Sequence, residues 1–206
     1  MLAACRRYLD RVLYRVGRRP RGGGWPVPEA VLDSEYRSGR WDHFFDDDEL
    51  PHNLLVVGQL RAAHPCPSVL DLGCGSGRLP SLLASDSITD YLGVDLSQEG
   101  LRRARELPLA FTYFEHADFE RWRPSRHWDV IVFNESLGYA RDPAGLAHDY
   151  ARWLAPGGVL LVSHFRSGNY AALWAGVERR FEVVRAETAR TTPDRVWDVK
   201  TLRPAQ

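Results

Sequence analysis

Residues 69–77 read VLDLGCGSG, and this stretch decides the fold that the sequence predicts. Residues 69–72 are apolar apart from Asp71, as expected of a short buried strand, and glycines recur at every second position of the turn that follows. Glycine lets a backbone bend tightly and approach a ligand closely. The stretch therefore predicts a strand that runs into a ligand-binding loop and then into a helix.

Two familiar nucleotide-binding motifs do not fit this loop. A dinucleotide fingerprint needs a third glycine where this chain has Arg78, and a phosphate-binding loop needs a Gly-Lys pair that the stretch lacks. Asp71 lies two residues before Gly73, and its negative charge would repel a pyrophosphate but attract a cation. This charge argument favours a ligand with an ammonium and a sulfonium group, such as S-adenosylmethionine.

The composition is that of one ordinary globular domain. The chain has 206 residues, of which 44% are hydrophobic and 26% charged. Its 27 basic residues balance its 27 acidic residues, so net charge gives no reason to expect nucleic acid as a partner. No apolar run approaches the ~20 residues of a transmembrane segment, and no signal peptide follows the basic start. With 3 cysteines, too few for a disulfide framework, a cytoplasmic location is expected.

Two segments precede the glycine-rich stretch. Residues 1–24 are predicted to form a basic N-terminal arm with helical spacing of apolar residues, which would bind an anionic surface or pack on the domain or on a partner subunit. Residues 25–65 are predicted to form a helical lid and substrate segment. The acids at residues 46–49 fit a helix start, or a divalent cation such as Mg²⁺. The buried side of the helix after these acids is predicted to comprise Leu54, Leu55, Val57 and Leu60.

From residue 66 to 206, strand patterns alternate with helical ones. Strands are predicted at residues 68–72, 91–94, 111–116, 128–133, 159–164, 181–187 and 195–201. Helices are predicted at residues 79–84, 98–106, 144–154 and 170–181. Such alternation indicates an α/β, Rossmann-like fold with helices on both faces of a mostly parallel sheet. The last two strands are predicted to form an antiparallel hairpin at one edge.

Two further acids end predicted strands. Asp95 follows the second strand, where a carboxylate can accept hydrogen bonds from both hydroxyls of a ribose; the alternative is an acid of the next helix N-cap. Asp118 and Phe119 follow the third strand, where the acid could accept from an adenine amino group and the ring could cover the base. The alternative for Asp118 is a plain loop acid. Because carboxyl ends of parallel strands share one edge, these acids and Asp71 are predicted to face one ligand.

In order and spacing, residues 71–77, Asp95, Asp118 and the turn Pro156-Gly157-Gly158 resemble the motif series of class I S-adenosylmethionine-dependent methyltransferases, over roughly residues 66–204. The resemblance implies a seven-stranded sheet whose last strand is antiparallel and inserted between two others. It also implies that the glycines hold the methionine portion of the cofactor, Asp95 the ribose and Asp118 the adenine. The residues assigned to this site are Asp71, Gly73, Gly75, Gly77, Asp95, Leu96, Asp118, Phe119 and Asn134.

Residues that follow the fourth strand face the transferred methyl group in this family. Here they are Asn134-Glu135-Ser136-Leu137-Gly138-Tyr139, without the paired prolines of enzymes that methylate adenine amines or glutamine side chains. Glu135 is predicted to act as a catalytic base or as a contact to the cofactor. His164 ends the fifth strand and is the second candidate for the base; a loop histidine without such a role is the alternative.

The predicted substrate residues are Tyr36, Trp41, His43 and Tyr139. The likeness extends to small bacterial methyltransferases of polysaccharide and glycolipid pathways, in which the acceptor can be the 1-hydroxyl of a mannoside. The expected function is therefore O-methylation of a hydroxyl on a small molecule or an oligosaccharide. The alternatives are N-methylation of a small amine, and a module that binds the cofactor without transferring a methyl group. A homodimer is compatible with the sequence.

Overall fold

The structure, a computed structural model, describes residues 26–83, 87–166 and 170–205. The predicted basic arm at residues 1–24 lies outside these ranges. The described helices are α1 (Glu29–Arg37), α2 (Leu50–Ala63), α3 (Gln98–Arg105), α4 (Pro143–Ala151) and α5 (Tyr170–Glu178). The described strands are β1 (Ser68–Leu72), β2 (Asp90–Asp95), β3 (Thr112–His116), β4 (Trp128–Asn134), β5 (Leu154–Phe165), β6 (Phe181–Thr192) and β7 (Arg195–Pro204). Short 3-10 helices lie at Asp42–Phe45, Asp47–Glu49, Pro80–Leu82 and Leu137–Tyr139.

The strands form one seven-stranded sheet in the order β3-β2-β1-β4-β5-β7-β6. Strands β1 to β5 pair in parallel with one another, and β7 runs antiparallel between β5 and β6. The predicted fold is therefore confirmed, including the inserted antiparallel strand. Parallel pairing brings the carboxyl ends of β1 to β5 to one edge. The strand order reverses between β1 and β4, which is where ligands bind in open α/β sheets.

Helices cover both faces of the sheet. On one face, Val56, Val57 and Leu60 of α2 belong to a buried cluster with residues of β1, β4, β5 and β7, and on the other, α4 and α5 share a buried cluster with residues of β1, β4 and β5. Each fully buried aliphatic or aromatic side chain contributes about 1.5–3 kcal/mol. Leu54 was expected on the buried side of α2 but is 51% exposed. The buried stripe runs instead through Asn53, Val56, Val57 and Leu60, because these positions share one helical face.

The segment after the glycine-rich loop departs from the prediction. A helix was expected at residues 79–84, but the described part forms the 3-10 turn Pro80–Leu82. Pro80 lies in the first turn of this element, where a missing N–H is tolerated, so the proline does not explain why the turn is short. In the described residues, no α-helix begins directly after the loop. Positive charge at the loop therefore comes from side chains and not from the N-terminus of a helix. The other predicted elements are present, with ends that differ by a few residues.

Residues 26–49, here called the lid segment, are fastened to α3. Asp33 Oδ1 accepts hydrogen bonds from Ser97 Oγ at 2.7 Å and from the Glu99 N–H at 3.1 Å. Arg103 donates to the carbonyl oxygen of Tyr36 at 2.6 Å and to Asp42 at 2.6 Å. These contacts hold the lid segment over the carboxyl edge of the sheet. None of the described helices combines the length and apolar character needed to cross a membrane.

Candidate functional site

A cavity with two adjoining lobes opens between the carboxyl edge of the sheet and the lid segment. The large lobe has a volume of about 200 Å³ and the small lobe about 60 Å³. The residues that line both lobes are Tyr36, Phe44, Gly73, Asn134 and Glu135. The glycine-rich loop, the end of β4 and the lid segment therefore surround one site.

The glycine-rich loop reaches the cavity at Gly73 and Gly75. Gly73 has a φ of +80°, and a Cβ atom there would lie 2.4 Å from the Cβ of Ser136. A Cβ atom at Gly75 would lie 2.5 Å from the hydroxyl of Tyr36. Only glycine fits where the backbone passes so close to these side chains.

Gly77 lies against α3. A Cβ atom at this position would lie 2.9 Å from Leu107 and 3.2 Å from the Cβ of Ala104. Gly77 therefore allows the loop to pack against α3 and the residues after it. It lines neither lobe, and its assignment to the methionine portion of the cofactor stays a prediction.

Asp95 ends β2 and is 8% exposed. Its Oδ2 accepts from the Gly75 N–H at 2.8 Å, and its Oδ1 accepts from the Ser97 N–H at 2.7 Å. Burial raises the pKa of this carboxyl group above its ordinary value. A carboxylate has about four acceptor sites, so about two are left for the hydroxyl pair of a ribose. Leu96 lines the same lobe.

Asp118 and Phe119, after β3, line the large lobe together with Asp95. Asp118 Oδ1 accepts from the Glu120 N–H at 3.0 Å. The ring of Phe119 packs edge to face on Phe133, with ring centroids 6.3 Å apart. A hydrogen-bond acceptor and a fixed aromatic ring thus lie together, which is the arrangement predicted for adenine.

Asp71 lies in the interior of the protein and not at the surface of the glycine-rich loop. Its side chain is buried, and Oδ2 accepts from the Tyr91 hydroxyl at 2.5 Å. Its other oxygen, Oδ1, has no hydrogen-bond partner among the described residues. Burial raises the pKa of Asp71 to about 7, although the hydrogen bond from Tyr91 opposes this shift. Asp71 lines the small lobe, so Oδ1 can accept from a cationic ligand group.

Glu135 follows β4 and lines both lobes. Its φ of +61° is uncommon for a residue other than glycine and costs free energy, a feature that clusters at functional sites. The Ser163 hydroxyl lies 3.0 Å from Glu135 Oε1 and 2.7 Å from Asn134 Oδ1, and the Phe165 N–H donates to Glu135 Oε2 at 3.1 Å. Burial raises the pKa of Glu135 to about 8. A carboxyl group with this pKa can act as a base near neutral pH.

His164, the other predicted base, does not line either lobe. Successive side chains of β5 point to opposite faces, and Ser163 points toward Asn134 and Glu135. The ring of His164 lies instead against Gly138, 2.8 Å from where a Cβ atom of that residue would be. His164 therefore lies near the carboxyl end of β5 without lining either lobe, and its role as a base stays a prediction.

The lid segment and the residues after β4 supply aromatic side chains. Tyr36, Trp41 and Tyr139 line the large lobe, and Trp41 stacks on Phe44 with ring centroids 5.4 Å apart and an interplanar angle of 6°. His43 is exposed, and its Nδ1 lies 2.9 Å from the carbonyl oxygen of Arg40. The structure therefore places this predicted substrate residue outside the cavity lining.

Two of the four acids at residues 46–49 pair with an arginine. Asp48 pairs with Arg195 at 3.0 Å, and buried Glu49 accepts a hydrogen bond from the same guanidinium group. Within the described ranges, no group of three or more His, Cys, Asp or Glu residues has a metal-binding arrangement. The pairing with Arg195 gives Asp48 and Glu49 a partner other than the divalent cation considered from the sequence.

The sequence alone did not single out three residues that line the small lobe: His52, Asn53 and Arg78. Burial lowers the pKa of His52 to about 3, so its ring is neutral, and it stacks on Trp197. Asn53 Oδ1 accepts from Asn134 Nδ2 at 2.9 Å. Arg78 follows the last glycine of the loop directly, and a basic side chain at this position is a signal for an anionic ligand group.

The sheet order and the cavity at its reversal point define a class of protein: they are those of the class I S-adenosylmethionine-dependent methyltransferases. A family described as a methyltransferase domain matches residues 4–193. The chain belongs to this family, and the resemblance drawn from the motifs is confirmed at that level.

Curated relatives share part of this chain. Trans-aconitate 2-methyltransferase of Acidovorax sp. (strain JS42) is 39% identical over 126 residues, which are 59% of this chain and 48% of the relative. Ubiquinone biosynthesis O-methyltransferase of Klebsiella pneumoniae is 31% identical over 145 residues, 67% and 57% of the two chains. Phosphoethanolamine N-methyltransferase 3 of Arabidopsis thaliana is 30% identical over 105 residues, which are 49% of this chain and 21% of the relative. The chain spans about half the length of the first two relatives, and none of the three names refers to a carbohydrate.

Solved structures share the fold. The N-methyltransferase NodS from Bradyrhizobium japonicum WM9, in complex with S-adenosyl-L-homocysteine, has a TM-score of 0.74 and 16% identity, over 86% of this chain and 98% of NodS. The [4+2]-cyclase SpnF has a TM-score of 0.68 and 16% identity, over 89% of this chain and 98% of SpnF. Since one is named a methyltransferase and the other a cyclase, function must be argued from the site.

Proposed function

We propose that this protein is an S-adenosylmethionine-dependent O-methyltransferase that acts on a hydroxyl group of a small acceptor. The observation that carries the proposal is the carboxyl group of Glu135, which has a raised pKa and lies where the two lobes adjoin. Membership in the methyltransferase-domain family supports methyl transfer as the reaction. The choice of oxygen rests on the chemistry of Glu135.

The residues of the cavity fit the cofactor. Asp95 has acceptor sites left for a ribose, and Asp118 with Phe119 suits an adenine ring. Asp71 offers an unpartnered oxygen to a cationic group in the small lobe. When bound there, S-adenosylmethionine supplies a methyl group that its sulfonium charge has already activated.

Glu135 is the base that a hydroxyl acceptor requires. A hydroxyl group must lose its proton as it attacks, whereas a carboxylate acceptor is already ionised at neutral pH. The Ser163 hydroxyl and the Phe165 N–H hold the Glu135 carboxyl group in one orientation. A base held in this way favours a hydroxyl over an acceptor of the kind named for the trans-aconitate relatives.

The lid segment suits an acceptor with a flat face. Trp41 and Phe44 form a stacked pair at the large lobe, and Tyr139 lines the same lobe. Aromatic rings of this kind pack on ring systems and on the apolar faces of sugars. Ring hydroxyls and carbohydrate hydroxyls, including the 1-hydroxyl of a mannoside, are therefore the acceptor classes to test. A small amine is the second candidate, favoured by the phosphoethanolamine N-methyltransferase relative.

The test combines labelled S-adenosylmethionine, a panel of hydroxyl, carboxylate and amine acceptors, and Glu135→Gln. In the wild-type protein, kcat rises about tenfold per pH unit up to about pH 8, because the deprotonated form of Glu135 is the base. In Glu135→Gln, kcat falls about 100-fold or more and this pH dependence disappears. The affinity for S-adenosylhomocysteine stays within about threefold.

Glu182→Gln, which removes an exposed carboxylate from β6, is the matched control and keeps full activity. Equal kcat values for Glu135→Gln and wild type contradict the role of base. A labelled N-methyl product with a pH profile that follows the amine supports the second candidate. Binding of the cofactor with no transfer to any acceptor supports a non-methylating module.

A further inference from the structure

A chain of hydrogen bonds leads from α2 to the carboxyl group of Glu135. Asn53, which is buried in the first turn of α2, donates through Nδ2 to the carbonyl oxygen of Glu49 at 2.8 Å. Its Oδ1 accepts from Asn134 Nδ2 at 2.9 Å, and Asn134 Oδ1 lies 2.7 Å from the hydroxyl oxygen of Ser163. The same hydroxyl oxygen lies 3.0 Å from Glu135 Oε1. A side chain of α2 is therefore connected to the proposed base.

The direction of this chain is fixed at its start. A carbonyl oxygen can only accept hydrogen bonds, so the carbonyl of Glu49 requires the NH2 group of Asn53 to face it. The side-chain oxygen of Asn53 then faces Asn134, whose own NH2 group donates to it. The side-chain oxygen of Asn134 is left to face Ser163. Asn134 thus offers the Ser163 hydroxyl an acceptor and not a donor.

Ser163 has one hydroxyl hydrogen and two acceptors within reach. Its oxygen also accepts from the Glu135 N–H at 3.0 Å. When Glu135 carries a proton on Oε1, it can donate that proton to Ser163, whose own hydrogen then lies on Asn134. When Glu135 is ionised, Glu135 Oε1 and Asn134 Oδ1 compete for the single Ser163 hydrogen. This competition favours the protonated form of Glu135.

We propose that Asn53 is a positioning residue for Glu135: it keeps the oxygen of Asn134 turned toward Ser163 and so draws the Ser163 hydrogen away from the carboxylate. The inference rests on the proposed function, in which Glu135 is the base, and it makes that base stronger. As the acceptor hydroxyl attacks the methyl group, its O–H bond breaks and an O–H bond forms at Glu135. The Ser163 hydrogen then returns to Asn134.

Other groups near Glu135 also affect its titration. The negative charge of Glu49 raises the pKa of Glu135. Burial keeps His52 and Tyr36 neutral, because it lowers the pKa of His52 to about 3 and raises the pKa of Tyr36. The charged groups that line the two lobes with Glu135 are Asp71, Arg78, Asp95, Asp118, Glu120 and Arg141. All of these groups are unchanged in the variants compared below.

The test follows the Glu135 carboxyl group by carbon-13 NMR in protein labelled at its glutamate side chains, with Glu135→Gln to identify the signal. In the wild-type protein, the midpoint of the titration lies near pH 8. In Asn53→Ala, the Asn134 amide can turn its NH2 group toward Ser163, which leaves the Ser163 hydrogen to Glu135. The midpoint then falls by about one pH unit, as expected for one hydrogen bond gained by the carboxylate. The rise of the pH–rate profile moves in the same direction.

Three further variants separate this role from a structural one. Asn53→Asp keeps the midpoint at or above the wild-type value, because a carboxyl oxygen in either protonation state accepts from Asn134 Nδ2. In a Ser163→Ala background, Asn53→Ala moves the midpoint by less than about 0.3 unit, since the link to Glu135 is absent. Gln59→Ala is the matched control, because Gln59 is a buried amide of the same helix that is hydrogen-bonded to β7. It lowers the melting temperature and leaves the midpoint unchanged.

An unchanged midpoint in Asn53→Ala overturns the inference. Equal shifts in Asn53→Ala and Asn53→Asp, or an equal shift in Gln59→Ala, assign the effect to a general disturbance of α2 and overturn it too. If Asn53→Ala does not fold, Asn53→Leu takes its place with the same expected shift. Leucine has a similar volume and cannot hold the Asn134 amide.

The two proposals fail in different ways. If hydroxyl acceptors are methylated with the pH dependence of Glu135, and Asn53→Ala leaves the midpoint unchanged, only the inference fails. If the midpoint moves as expected but no acceptor is methylated, the hydrogen-bond chain stands and the proposed function fails.

Discussion

The carboxyl ends of β2, β3 and β4 contribute polar groups to one cavity, but these groups are held in different ways. Asp95 and Asp118 each accept a hydrogen bond from a backbone N–H group of the loop that follows their strand, and Asp95 also accepts one from the Gly75 N–H of the neighbouring loop. Glu135 is held by the hydroxyl of Ser163 and the N–H of Phe165, which belong to the neighbouring strand. The first region depends mostly on local sequence, and the second depends on the pairing of two strands.

Because of this difference, we assign cofactor binding and catalytic turnover to different parts of the site. The register that places Asn134 opposite Ser163 also brings the Ser163 hydroxyl to Glu135. A shift of that register by one residue would turn every side chain of the strand to the other face. We therefore expect substitutions after β2 to affect cofactor binding, and substitutions at the β4–β5 pair to affect turnover.

The largest effect is expected for Asp95→Ala, which tests the locally built region. The substitution removes the acceptor of two ribose hydrogen bonds, and hydrogen bonds to charged groups contribute about 1.5–3 kcal/mol each. The affinity for S-adenosylhomocysteine should fall at least about 100-fold in calorimetry. A melting curve without ligand controls for unfolding, since Gly75 and Ser97 also lose their acceptor. Unchanged affinity would contradict the assignment of Asp95 to the ribose.

An intermediate effect is expected for Ser163→Ala, which tests the region held by strand pairing. The hydrogen bond from Ser163 lowers the pKa of Glu135 and partly offsets the effect of burial. Its loss should move the rise of the pH–rate profile above about pH 8 and reduce kcat at pH 7 about tenfold. The affinity for S-adenosylhomocysteine should not change. A loss of that affinity as large as in Asp95→Ala would show that the two regions are not separable.

The smallest effect is expected for His164→Ala. The ring packs against Gly138 and does not line the cavity, so kcat should stay within about threefold of wild type. The melting temperature should fall, because the substitution leaves a gap beside Gly138, and such losses are typically about 0.5–3 kcal/mol. A large loss of kcat with unchanged melting would restore His164 as a candidate base.

The predicted site residues that line the cavity and those that do not differ in what determines their position. Asp95 and Asp118 follow strands directly, and alternation of strands and helices is enough to place them at one edge of the sheet. His164 also ends a strand, but the face toward which its ring points depends on the register of β5. His43 lies in an aromatic segment whose rings differ in exposure, and the sequence does not say which of them turn inward.

By itself, the sequence determined the α/β architecture, the glycine-rich turn and the positions of the acids that follow β2 and β3. These features depend on periodicity, turn chemistry and strand order. Only the tertiary structure decided that Asp71 keeps an unpartnered oxygen, that Arg78 faces the same lobe and that Glu135 has a raised pKa. Burial and hydrogen-bond partners decide these properties, and both are supplied by segments that lie far apart in the chain. At Asp71 and Glu135, burial raises the pKa although hydrogen-bond partners oppose the shift.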